Sequence, residues 1–246
     1  MDGEKPEEDR RPLPSGCWVR SSEGLEFARV VTFTDAIFAI ALTLLIFKVT
    51  VPTLGGDTSD PQTMLKTLSD KAPEVAGFFI VFILVGRYWM SHHIFLSHLR
   101  AVDRRFVGIN LLYLVVIAFL PFPTELLVKY EENPISVLTV ALCLSIASGI
   151  EAVQFHRAYR LDLFIEPLPR EVYGHLLAAS LIPIAVFAVT SPIAFVSCNL
   201  TLATWLIIAP LERYLNRRAP EGAAQYRATR RGSKRTVPPM PGDPPF

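Results

Sequence analysis

The stretch Phe27-Ala28-Arg29-Val30-Val31-Thr32-Phe33-Thr34-Asp35-Ala36-Ile37-Phe38-Ala39-Ile40-Ala41-Leu42-Thr43-Leu44-Leu45-Ile46-Phe47-Lys48-Val49-Thr50-Val51 decides the fold. It contains no glycine or proline, and its one charge between Arg29 and Lys48 is Asp35. A helix needs about 20 mostly apolar residues to cross a hydrocarbon core about 30 Å thick. An open strand cannot cross, because lipid leaves its backbone polar groups unpaired. The stretch therefore reads as a transmembrane helix. Five further blocks read the same way. The second starts near Pro73, stays apolar to Met90 and continues as a more polar helix towards Arg100. The third covers Phe106 to Leu127 and the fourth Pro134 to Phe155. The fifth runs from Gly174 to Thr190 and the sixth from Ile193 to Leu211. Ser191-Pro192 between the last two predicts a tight turn and a helical hairpin, and Pro183 predicts a kink in the fifth.

Composition agrees. Of 246 residues, 51% are apolar and 19% charged, against about 25% charged in an average protein. The mean hydropathy is +0.36. This excludes a disordered chain, which is poor in apolar residues. A net charge of +1, from 24 basic and 23 acidic residues, argues against a general nucleic-acid binder. Cys17, Cys143 and Cys198 form no CxxC pair, so neither a disulfide framework nor a thiolate metal site is expected. The opening Met1 to Arg20 is polar and acidic, unlike a signal peptide. No P-loop, GxSxG or HExxH occurs; we expect no enzyme activity and no cofactor.

The basic residues are segregated. On an up-down path both termini share one side, and that side receives nineteen Lys and Arg, the other four; Arg87 lies inside the second helix. The positive-inside rule then puts both termini in the cytoplasm of a multi-pass cell-membrane protein. The expected organisation is a cytoplasmic tail over 1–26, a six-helix unit over 27–211 and a basic, Pro-rich cytoplasmic tail over 212–246. The Arg230-Arg231-Gly232-Ser233-Lys234-Arg235 run reads as a segment near anionic lipid, and Pro238 to Phe246 as disordered.

Polar groups inside spans are costly and mark function. Asp35 is the sharpest. Arg29 lies six residues away, about 9 Å along a helix axis and on another side of it, so a partner from a different helix is expected. Thr32, Asp35, Ala39, Thr43 and Thr50 share one face, beside a bulky stripe of Ile40, Leu44 and Phe47. Two readings fit: close packing between helices, or a pore lining with hydroxyls and apolar rings alternating along an axis. The second helix carries Arg87, Trp89, His92, His93 and His98. With five histidines in the chain, a membrane metal centre is disfavoured, and hydrogen bonding inside the bundle is the better reading. Asn110 is an expected partner, with Glu151 and Gln154 as further candidates.

The pattern Arg29-x-x-x-Phe33-Thr34-Asp35-x-x-x-Ala39-Ile40-x-x-Thr43-Leu44 resembles the first-helix signature of the transmembrane protein 175 channels in their single-repeat prokaryotic form. Thr34 stands where that signature usually has Ser, and the hydroxyl is kept. A second match is Trp89-x-x-His92, then Asp103-Arg104, Asn110-Leu111 and Leu120-Pro121-Phe122. The resemblance covers residues 27 to 211. It implies an all-α integral membrane protein with six transmembrane helices per subunit, assembled as a homotetramer in the lipid bilayer around a central pore lined by the first helix. It implies a passive channel with the potassium ion as permeant, only modestly selective over sodium. The constriction falls on Ile40, with further apolar rings at Leu44 and Phe47. Ala39 and Thr43 line the pore, and Thr43 is linked to selectivity. An intracellular polar network comprises Arg29, Phe33, Thr34, Asp35, Trp89, His92 and Asn110; the choice of His92 over His93 follows the spacing from Trp89.

A proton-coupled secondary transporter using Asp35 and His92 is the main alternative, with a proton-permeable channel of the same architecture beside it. Transporters show broken helices at the midplane, whereas Asp35 lies near one end of an unbroken stretch. A non-conducting scaffold is a third class, and buried polar stripes are expensive for it.

Overall fold

The computed structural model describes residues 12–20, 25–47, 49, 60–130, 132–220, 223 and 226. In chain order the elements are strand β1 (Cys17–Val19), helices α1 (Leu25–Ile46), α2 (Pro61–Asp70) and α3 (Ala72–Ser97), strand β2 (Ala101–Asp103), then α4 (Arg104–Phe119), α5 (Pro121–Lys129), α6 (Pro134–Arg160), α7 (Arg170–Thr190), a 3-10 turn (Ser191–Phe195), α8 (Cys198–Trp205) and α9 (Ile208–Arg217). Lys48, Thr50, the Arg230–Arg235 run and the Pro-rich end lie outside the described residues.

Among the described residues, five segments are long and apolar enough to cross a membrane: Leu25–Ile46, Glu74–Ser97, Arg104–Lys129, Pro134–Arg160 and Arg170–Phe195. The first five apolar blocks thus become helices at their expected places. Pro121 divides the third into α4 and α5, because it has no N–H to continue the ladder. Pro183 is accommodated inside α7.

The sixth block departs from expectation. It is not one helix: α8 ends at Trp205, and α9 starts at Ile208 with Pro210 in its first turn. A proline is tolerated in a first turn and costs a hydrogen bond further in. The reversal before it is also shifted. Ser191-Pro192 is not the turn; it continues α7 as a 3-10 segment, and the chain turns at Val196-Ser197. Ser197 then caps α8, its Oγ accepting from the Leu200 N–H at 3.2 Å.

The architecture is also not purely helical. β1 and β2 pair antiparallel, Cys17 opposite Asp103 and Val19 opposite Ala101. Strands of three residues carry too little alternation to be read from sequence. This small sheet marks one end of the bundle, where α1, α4 and α7 begin and α3 and α6 end. Arg20 secures it. Its Nε donates to the Leu99 carbonyl at 2.8 Å and its Nη2 to the Leu96 carbonyl at 2.7 Å, a cation set at the C-terminal end of α3 where the helix dipole favours it. Its guanidinium lies 4.5 Å over the Phe27 ring. Two apolar cores result, one around Phe38, Leu84, Tyr113, Leu144 and Trp205 among the spans, the other around Phe27, Leu99, Phe106 and Phe164 at the sheet end.

Asp103 ties that end across elements. It accepts from the backbone N–H of Phe106 at 3.1 Å and Arg105 at 3.3 Å, capping α4. Arg157 of α6 reaches it through Nε at 3.0 Å and Nη2 at 2.5 Å. The Arg157 bond, assisted by the backbone donors, holds the carboxyl below the usual carboxylate range. Asn keeps the cap and Ala does not, so Asp103→Ala should cost about 1 kcal/mol more than Asp103→Asn in thermal unfolding. Because the folded pKa is depressed, this stabilisation is complete above about pH 4, the unfolded carboxylate value, and is lost as pH falls through the lower folded one. Asp103→Asn should therefore flatten the acid limb of a stability–pH profile.

Candidate functional site

Helix α1 has two unlike faces. Phe27, Thr34, Phe38, Ala41 and Leu45 are buried in the chain's own core; their spacings of seven, four, three and four keep them on one side. Thr32, Phe33, Ala36, Ala39, Ile40, Thr43, Leu44 and Phe47 face outward. Ile40 is 54% exposed and Phe47 77%. The Thr43 hydroxyl donates to the Ile40 carbonyl at 2.8 Å. Its proton is thereby committed, and only oxygen lone pairs point away from the helix.

The inward side of α1 leads into a chain of side-chain bonds across α1, α3, α4 and α6. Asn110 of α4 is its hub. Asn110 Nδ2 donates to Thr34 Oγ1 at 2.9 Å, and Thr34 passes its own proton to the Val30 carbonyl at 2.8 Å. The Asn110 oxygen therefore faces two donors, His92 Nε2 at 2.9 Å and Gln154 Nε2 at 3.1 Å. This donor order puts a proton on His92 Nε2. His92, Asn110 and Gln154 are all buried. Among the described residues, His92 Nδ1 and the Gln154 oxygen have no hydrogen-bond partner. Phe38 and Tyr113 enclose the imidazole, Tyr113 stacking on it with centroids 4.6 Å apart.

A second, shorter chain lies beside the first. Trp89 Nε1 donates to Asp35 Oδ1 at 2.9 Å, so the partner of Asp35 does come from another helix. The His93 ring lies tilted against Trp89, centroids 5.5 Å apart, with its Nδ1 3.7 Å from the same oxygen. His92 and His93 thus serve different chains, and spacing from Trp89 picks out the buried one. Of the candidate network residues, Thr34, His92 and Asn110 meet in the first chain and Asp35 and Trp89 in the second. Arg29 and Phe33 join neither. They fall about 120° and 160° around the helix from Asp35, at 100° per residue. Both are exposed, and Arg29 makes no ion pair among the described residues. Gln154 joins the network, whereas Glu151 bonds instead to Ser91 Oγ at 2.9 Å. His93, weighed against His92 in the sequence, falls beside Asp35, and Tyr113, which the sequence did not single out, sits one turn after Asn110, a spacing that puts it on the same face.

Residues 29–121 match the family model described as endosomal/lysosomal potassium channel TMEM175. A potassium channel of Streptomyces collinus is 33% identical over 193 residues, covering 75% of this chain and 90% of that protein. A potassium channel of Chamaesiphon minutus is 30% identical over 142 residues, covering 58% of this chain and 68% of that one. The fold is similar to the crystal structure of a lysosomal potassium-selective channel TMEM175 homolog from Chamaesiphon minutus, with a TM-score of 0.65 at 23% identity over 79% of this chain and 98% of the other. With the first-helix signature and the α1–α3–α4 network in place, these similarities make the chain a member of the TMEM175 family.

Proposed function

We propose that the protein is a passive, potassium-permeable cation channel, modestly selective over sodium. The observation that carries this reading is the outward face of α1. Its own subunit covers Thr34, Phe38 and Leu45 and leaves Ala39, Ile40, Thr43, Leu44 and Phe47 open. In a homotetramer with α1 at the centre, four copies of this face line the pore. Four Ile40 side chains then form an apolar constriction that stops ions by dewetting, with Leu44 and Phe47 as further rings. Thr43 turns lone pairs to the axis and is suited to meet a cation. Selectivity built on hydroxyls and pore width is weaker than that of a carbonyl filter. The names of the Streptomyces and Chamaesiphon relatives support potassium as the permeant ion. The basic residues favour a cell-membrane location with both termini, 1–26 and 212–246, in the cytoplasm around the 27–211 unit.

The network gives α1 a fixed seat. Thr34 and Asp35 are held by Asn110 and Trp89, so movement of the Ile40 ring requires α1 to rotate or bend above these anchors. Arg29 and Phe33, outward on the same helix, are placed to meet a neighbouring subunit.

Purified protein in liposomes under a potassium gradient tests the proposal. Passive, electrogenic potassium flux, smaller when sodium replaces potassium and absent from empty liposomes, is the expected result. Verified tetramers that carry no flux, either unmodified or as Ile40→Asn, would overturn it.

A further inference from the structure

Away from the network, α3, α6, α7 and α9 surround a cavity of about 340 Å³, within the size range of small-molecule sites. Much of its wall is apolar, with Leu84, Ile94, Phe155, Leu176 and Pro183 among the contributors. Its polar lining includes Arg87, Glu212, Glu151 and Ser91. Arg87 of α3 and Glu212 of α9 pair directly with each other, and their charges cancel. Glu151 of α6 is different. It is 7% exposed. Its Oε1 accepts from Ser91 Oγ at 2.9 Å, and its Oε2 takes no hydrogen bond among the described residues. His98, also on the wall, spends its Nδ1 proton on the Ile94 carbonyl at 2.8 Å.

The cavity therefore joins an apolar length of wall to one carboxylate that lacks a countercharge of its own. A buried carboxylate is retained inside a membrane protein when something pairs with it. An anionic occupant meets repulsion from Glu151, and a neutral hydroxyl can donate to Oε2 but brings no countercharge. We propose that this cavity binds a single-chain amphiphile bearing a protonated primary amine. The ammonium donates to Glu151 Oε2, with the Ser91 oxygen as a second acceptor, and the alkyl chain lies along Ile94, Phe155, Leu176 and Pro183. This site is separate from the α1 face, and its occupancy does not depend on the channel reading.

The test uses the full chain, purified, with thermal unfolding as the readout and octylammonium as the probe, below its micelle concentration. Octanoate and octanol are the controls of equal chain length. Octylammonium should raise the unfolding midpoint in a saturable way, and the two controls should not. Glu151→Gln keeps an acceptor for Ser91 and removes the charge; the apparent affinity for octylammonium should fall at least tenfold. Ala179→Phe fills the cavity with Glu151 intact and should abolish the shift. Equal shifts from all three probes would reduce the cavity to nonspecific apolar filling and overturn the proposal. So would an undiminished shift in either variant; if Glu151→Gln does not fold, Ala179→Phe decides. Because the readout is binding, failure here leaves the flux experiment unaffected, and the reverse holds too.

Discussion

Ile40→Asn raises potassium flux through reconstituted protein by about tenfold or more, since each ~1.4 kcal/mol taken off a barrier is a factor of ten in rate. Ile40 is more than half exposed on the face of α1 that its own subunit leaves open. In the proposed tetramer, four copies around an axis would make a ring without a hydrogen-bonding group, from which water withdraws. A ring of amides supplies donors and acceptors and keeps the constriction wet. The substitution changes no group that the single chain buries, so folding and assembly should persist. Flux equal to that of the unsubstituted protein, in tetramers confirmed by size, would remove Ile40 from the constriction and move the gate to Leu44 or Phe47.

Asn110→Ala lowers stability by about 3 kcal/mol, measured as a shift in the unfolding midpoint of the purified protein. The magnitude follows from what is stranded. His92 Nε2 and Gln154 Nε2 both donate to the Asn110 oxygen. His92 Nδ1 and the Gln154 oxygen already have no hydrogen-bond partner among the described residues. Removing the hub leaves two buried side chains wholly unpaired, at about 1–3 kcal/mol each. Gln154→Leu is the contrast. It removes one donor together with an unsatisfied oxygen, and His92 keeps its bond to Asn110, so the cost should stay below about 1 kcal/mol. Equal losses for the two substitutions would show that Asn110 is not the hub. Thr34 is the member that carries the effect to α1, so Asn110→Ala should also alter flux in whatever tetramer survives.

The sites of both predictions were partly legible in the sequence. Asp35, Trp89, His92 and Asn110 stood out because polar side chains within spans must find partners, whatever the fold, and Thr34 entered through the resemblance of the first helix to the family signature. Which of them meet was not legible. Trp89 reaches Asp35 across 54 positions and Gln154 reaches Asn110 across 44, and sequence order carries no record of how helices rotate against one another. Glu151 and Gln154 illustrate the limit. They lie within one turn of α6, yet Gln154 enters the Asn110 network and Glu151 points to Ser91 and the cavity.

The five long spans and their approximate ends were determined by the sequence alone, because crossing about 30 Å of hydrocarbon is a condition on local composition and length. The break before α9 was also written there, in Pro210, and was outweighed by the apolar run around it. Tertiary structure alone decided the pairing of β1 with β2, the use of Arg20 to close the end of α3, the separation of His92 from His93 and the side of α1 turned away from the core. Each of these depends on which helix face meets which neighbour. That choice is made by packing and by the pairing of buried donors across distant segments, and no local stretch of chain contains it.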